Sequence, residues 1–240
     1  MRLRAFGLRV FKEIIRDPLT LVFGLGFPLV VLLLLSAIQA NIPVELFAIE
    51  SLTPGIAVFG LSFMTLFSAT VIAKDRAGAF LQRLYTTPMR ATDYILGYTL
   101  PILPVSIAQT LVCYIAAAVL GLEINGNAIL AMLSNIPAAV MYIALGLLCG
   151  SIFTDKQVGG VCGALLTNLS AWLSGIWFDL NLVGGVFRKI AEVLPFYHAV
   201  ELGRAVLNGG DVLTHLLWVC SYTALLLILS VIVFVRQMKK

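Results

Sequence analysis

The sequence predicts an all-α polytopic membrane protein with six transmembrane helices, and three observations predict it. Of the 240 residues, 60% are hydrophobic and only 12% charged, with a mean hydropathy of +1.02. A soluble domain with a polar surface does not have that composition. Apolar runs without Asp, Glu, Lys, Arg or His lie at about 19–38, 53–73, 96–120, 128–153, 157–178 and 216–235, each near the roughly 20 residues needed to cross a bilayer. The basic residues cluster between alternate runs. We read residues 1–240 as a single transmembrane domain.

The first element, "MRLRAFGLRVFKEIIRDP", covers residues 1–18. Leu3, Phe6, Val10, Phe11, Ile14 and Ile15 fall on one side of a helix, with Arg2, Arg9, Lys12, Glu13 and Arg16 largely on the other. Such a helix lies in the membrane interface, its basic side chains reaching lipid phosphates, and Pro18 permits a turn into the first span. That span is about twice as long as the apolar core of a secretory signal, so it is kept as a span.

Orientation follows from Lys and Arg. With the first end inside, Arg2, Arg4, Arg9, Lys12, Arg16, Lys74, Arg76, Arg83, Arg90, Lys156, Arg236, Lys239 and Lys240 are cytoplasmic. Only Arg188, Lys189 and Arg204 remain outside, so both termini are expected in the cytoplasm.

The segment 74–95, within "KDRAGAFLQRLYTTPMRATDYILG" (Lys74 to Gly97), is the one sizeable internal cytoplasmic loop. On a helix from about Asp75 to Tyr85, Ala77, Phe80, Leu81 and Leu84 share a face, and Thr87-Pro88 ends it. A helix this short needs a partner or the membrane surface to cover that face.

The outer segment 179–215 is too long for a simple connection. Phe187, Ile190, Ala191 and Leu194 form a helical stripe, Pro195 breaks it, and a second helical stretch ends at Gly209-Gly210. Two short helices dipping back from the outer face are expected, and Glu201 and Arg204 can pair at i, i+3. Within the spans, "GLLCG" and "GGVCG" bring small residues to helix contacts. Phe59, Phe63 and Phe67 share one face of the second span and Asn168 sits at mid-depth in the fifth. These four are candidates for a substrate pathway, with packing as the competing explanation.

Several chemistries are excluded. Cys113, Cys149, Cys162 and Cys220 lie inside spans without metal-ligand spacing, and His198 and His215 are isolated in sequence, so no metal site is expected. No catalytic residue is assigned, because Ser and Thr occur without a His or Asp partner at membrane depth. An ion- or proton-coupled carrier calls for ionisable groups at the midplane, which the spans lack. That carrier and a noncatalytic membrane assembly factor are the alternatives to the exporter reading that follows.

"DRAGAFLQRLYTTPMRATDYILGYTLP" resembles the loop after the second span in ABC transporter permeases of the type-2 exporter family, with Asp75, Arg76, Gly78, Leu81, Leu84, Thr87 and Pro88 fitting the pattern. "LPFYHAVELGRAVLNGG" is similar to that family's segment before the last span, through Leu194-Pro195 and Arg204. The resemblance implies the membrane subunit of an ATP-driven exporter that works by alternating access. It would pair with a second permease copy or close relative and with two ATP-binding cassette subunits. It also implies that Asp75, Arg76, Gly78, Phe80, Leu81, Leu84, Thr87 and Pro88 belong to a coupling helix that seats on the ATPase, and that Pro195, Glu201 and Arg204 belong to an outer re-entrant helical hairpin. ATP and Mg would sit on the partner chains: the sequence has no Gly-Lys dipeptide and therefore no P-loop, so the chain is not an enzyme by itself and needs no cofactor of its own. The expected setting is a bacterial inner or archaeal plasma membrane, with the lipid bilayer around it and no nucleic acid as partner. The expected cargo is a lipophilic compound: drug, lipid or glycan-like.

Overall fold

The computed structural model describes residues 2–42, 47–78 and 91–238. All regular elements among them are helical: α1 (Arg2–Arg16), α2 (Pro18–Leu21), α3 (Phe27–Gln39), α4 (Ile49–Ala77), α5 (Ala91–Val119), α6 (Gly126–Ile152), α7 (Asp155–Val158), α8 (Thr167–Leu173), α9 (Leu180–Val183), α10 (Gly185–Val193), α11 (Pro195–Asn208) and α12 (Val212–Met238). Among the described residues, five stretches are long and apolar enough to cross a membrane: Val22–Gln39, Ile49–Ala77, Thr92–Val119, Gly126–Ile152 and Val212–Gln237.

The apolar stripe of α1 divides. Phe6, Val10 and Ile14 are buried, whereas Ile15 faces outward. The Phe6 ring meets Tyr98 edge-on, with centroids 4.9 Å apart, and lies against Gly97, where a Cβ would come within 2.1 Å of the ring. The helix therefore leans on the start of α5.

α4 is the centre of the bundle. Of its most apolar window 89% is buried, against 22% for the first span and 11% for α12, so α4 is enclosed by its own chain while the other two present most of their surface outward. Its main neighbour is α6, on which it packs backbone to backbone. At Gly146 a Cβ would lie 1.8 Å from Ser68 Oγ, and at Gly150 2.6 Å from the Ala69 carbonyl, so "GLLCG" makes an internal contact. Thr65 Oγ1 donates to the Tyr142 carbonyl across the same seam at 2.8 Å.

Two of the six apolar runs are helical rods containing π turns. In the first, Val22–Gly26 is π-helical between α2 and α3, and the Phe27 amide reaches back to the Val22 carbonyl. Pro28 lacks an amide, which removes the next α-type bond and favours this longer one. In the fifth run, α7 passes through a π stretch, Gly159–Leu166, into α8. Unlike the first run, this one is not among the five membrane-length apolar helices.

The helix expected from Asp75 to Tyr85 does not form as one piece. α4 continues one turn past its apolar run and ends at Ala77, and Gly78 takes an extended backbone, its amide closing on the Lys74 carbonyl at 3.0 Å. Phe80, Leu81, Leu84, Thr87 and Pro88 lie outside the described residues.

Candidate functional site

Asp75 and Arg76 occupy the last turn of α4 and point into two different junctions. Asp75 is 2% exposed. Its Oδ2 accepts from Tyr98 Oη at 2.8 Å and from the Arg9 guanidinium, which also reaches Glu13 at 2.9 Å. Burial opposes the charge on Arg9, but the hydrogen bond to Asp75 and that carboxylate's field outweigh it, so its pKa is raised. A buried carboxylate thus joins α1, α4 and α5.

Arg76 turns to the other side and caps α6. Its guanidinium donates to the carbonyls of Ser151, Ile152 and Phe153. Gln237 Nε2 of α12 donates to the same Ser151 carbonyl at 2.6 Å. The last carbonyls of a helix lack internal partners and form the negative pole of its dipole, so a planar cation with several donors matches them. Tyr94 Oη bonds Ser151 Oγ at 2.7 Å, and Phe234 of α12 stacks on the Tyr94 ring with centroids 4.0 Å apart. Both terminal helices meet here, at one end of the bundle, directly before residues 79–90.

The opposite end holds a second junction. Arg204 pairs with Glu201 at 2.9 Å and donates to the Ser51 carbonyl at 3.1 Å and the Gly175 carbonyl at 3.0 Å, linking α11 to the start of α4 and to the turn after α8. Pro195 stands at the first turn of α11, whose buried face packs on α4, α6 and α12.

His198 and His215, read as isolated in sequence, face each other with Nδ1 atoms 2.9 Å apart. The correction comes from the Gly209-Gly210 turn, which folds α12 back along α11. His198 Nε2 lies 2.8 Å from the Glu192 carbonyl and so carries the proton there, and its ring stacks on Trp218. Burial, with His215 adding to it, keeps the His198 pKa below its usual value despite that carbonyl. Position 17 residues apart carries no local signal for such a pair.

Phe59, Phe63 and Phe67 are all buried and join a ladder with Phe23, Phe27 and Trp177. Phe63 is 5.7 Å from both Phe27 and Phe59. The face is therefore covered by the first span. Asn168 is exposed, its amide donating to the Ala164 carbonyl one turn back at 2.8 Å. The structure gives no contact between Asn168 and the three phenylalanines.

Sequence reasoning missed Arg9, Tyr94, Tyr98, Ser151 and Gln237. Tyr94 and Tyr98, at i and i+4, were legible as one face of α5, but nothing local tied them to Asp75.

A long helical bundle with an amphipathic arm seated on it, and buried polar junctions at its ends, is the architecture of a multi-pass membrane protein. The family model of the ABC-2 type transporter matches residues 1–208, and the chain belongs to that family. It is 31% identical to ycf38 of Porphyra purpurea, named as a transport permease, over 87% of this chain and 75% of that one. It is 28% identical to the capsule polysaccharide export inner-membrane protein CtrC of Neisseria meningitidis, over 55% of this chain and 50% of that one. Nodulation protein J of Sinorhizobium fredii is 22% identical over 92% of this chain and 84% of its own. The chain is a transport permease of the membrane, and it contains the transmembrane part of such a system rather than its catalytic part.

Proposed function

We propose that the chain is the membrane-spanning subunit of an ATP-driven exporter. It works as a dimer, with a second copy or close relative, on two separate ATP-binding cassette subunits. The observation that carries this reading is the double junction at the end of α4. Asp75 is bonded to α1 and α5, and Arg76 to α6, so a displacement of the segment 79–90 is delivered at once to the helices around the core. That segment, with Phe80, Leu81, Leu84, Thr87 and Pro88, is the coupling element; Gly78 is the swivel that separates it from α4.

In this reading the rod Asp155–Leu173 is the remaining crossing, since its 19 helical residues are close to the roughly 20 needed to span a bilayer. Residues 179–215 form a re-entrant hairpin on the outer side, and both termini are cytoplasmic, as the basic residues favour. The cargo is a lipophilic compound: a drug, a lipid or a glycan-like molecule. The export function named for CtrC supports the glycan-like case. The burial of Phe59, Phe63 and Phe67 makes their role in a cargo route conditional on movement of the first span.

Affinity purification from native membranes tests the proposal. An ATPase should co-purify, and Phe80→Asp or Leu84→Asp should release it while leaving the permease inserted, because a carboxylate is costly in an apolar groove. Full ATPase retention and normal transport in both variants would remove the coupling assignment.

A further inference from the structure

At the end of the bundle that carries α1, an open cavity of about 1160 Å³ lies between α1, the start of the first span and the last third of α4. It exceeds the roughly 300–1,000 Å³ of sites for drug-sized ligands. Its polarity is layered. Lys12, Arg16 and Lys74 stand at the rim, all exposed, while the buried Phe67 and Val71 line the deeper part. Phe67 is seven residues before Lys74 on one continuous helix, about 10 Å further along its axis.

The charges do not balance. Arg9, Lys12, Arg16 and Lys74 line the cavity against Glu13 and Asp17. Arg9 and Glu13 are bonded to each other, and Arg9 to Asp75. Asp17 is also engaged. The remaining cations, Lys12, Arg16 and Lys74, have no carboxylate within salt-bridge distance among the described residues. Phe23 and Leu8, 46% and 54% exposed, extend the apolar wall outward. A soluble anion would leave that wall uncovered, and a neutral lipid would leave the cations unmatched.

We propose that this groove holds an anionic phospholipid of the surrounding membrane, its phosphate among Lys12, Arg16 and Lys74 and an acyl chain along Phe23, Phe67 and Val71. The lipid completes the contact between α1 and α4, next to the Arg9–Asp75 pair, and the site is independent of which compound is exported.

The test uses the full chain purified in detergent and exposed to mixed micelles of equal dioleoyl phosphatidylglycerol and phosphatidylcholine, with retained lipid counted by mass spectrometry. Wild type should retain the phosphatidylglycerol selectively. The variant Lys12→Gln/Arg16→Gln/Lys74→Gln should lose that selectivity, each cation removed weakening retention by roughly five-fold. The control Lys156→Gln/Lys189→Gln/Arg236→Gln, which removes the same charge elsewhere, should keep it. Equal selectivity in the two variants, or none in wild type, overturns the site. Inorganic phosphate should not raise thermal stability as phosphatidylglycerol does; equal protection by phosphate alone overturns the lipid as occupant. A photoreactive phosphatidylglycerol needs no variant to fold: on wild type it should label peptides from residues 5–23 and 66–74, and labelling confined to other peptides overturns the proposal.

Discussion

Arg9 and Asp75, separated by 66 positions, meet where the amphipathic arm crosses the end of the central helix, and Tyr98 shares the same carboxylate oxygen. The arm is thereby fixed to the helix that precedes residues 79–90.

This pair should be measurable in a double-mutant cycle. Arg9→Gln, Asp75→Asn and the double variant, unfolded thermally or by denaturant in detergent, should give a coupling energy of about 1–2 kcal/mol. The Arg9 side chain is 37% exposed, and solvent screening holds the value below that of a fully buried pair. Additive single effects would show that the contact carries no energy.

Arg76→Lys should behave like a loss rather than a conservative change. One ammonium cannot replace a guanidinium fork spread over the carbonyls of Ser151, Ile152 and Phe153. We expect a stability loss of about 1–2 kcal/mol and, in the assembled transporter, ATP hydrolysis with reduced transport. A Lys variant with wild-type stability and transport would show that the cap is dispensable.

Acid should loosen the His198–His215 contact. His198 has a depressed pKa in the fold, so neutral His198 contributes stability that is fully present above its unfolded value of about 6.5 and is lost as pH falls through that value towards the lower folded one. A melting-temperature series from pH 8 to pH 5 should fall more steeply for wild type than for His198→Gln. Parallel curves would assign the acid response to other groups.

The α4–α6 seam should reject a single methyl group. Gly150→Ala places a Cβ 2.6 Å from a backbone oxygen and 2.9 Å from Ala69 Cα, where nothing flexible can yield. A loss of roughly 1–3 kcal/mol is expected. Gly159→Ala and Gly160→Ala meet no atom within 4 Å and should be near neutral. Thermal unfolding of the three variants in one detergent decides between them.

Five membrane-length helices were legible because the bilayer thickness imposes a run length that a single sequence displays; α4 and α12 extend about a turn past their apolar runs at both ends, and the others match theirs to within a few residues. The fifth run was legible as apolar but not as π-helical, since a π turn depends on which carbonyl each amide finds. Asp75 and Arg76 read as loop residues because they follow the apolar run; their burial depends on Arg9, Tyr98 and the end of α6, all distant in sequence. The histidine pair was hidden for the same reason. Glu201 and Arg204, one helical turn apart, were within reach of a local rule, and they pair.

The two π turns, Val22–Gly26 and Gly159–Leu166, occur in two rods that both touch α4. A π turn holds one residue more than an α turn needs, so each rod carries surplus thread. Sliding that surplus along the rod, or absorbing it, rotates one portion against the other by about 100° per residue while nearly every backbone bond stays made. The walls beside the core can therefore be rewound in place, and a bundle whose centre is locked at both ends still has two screws that turn.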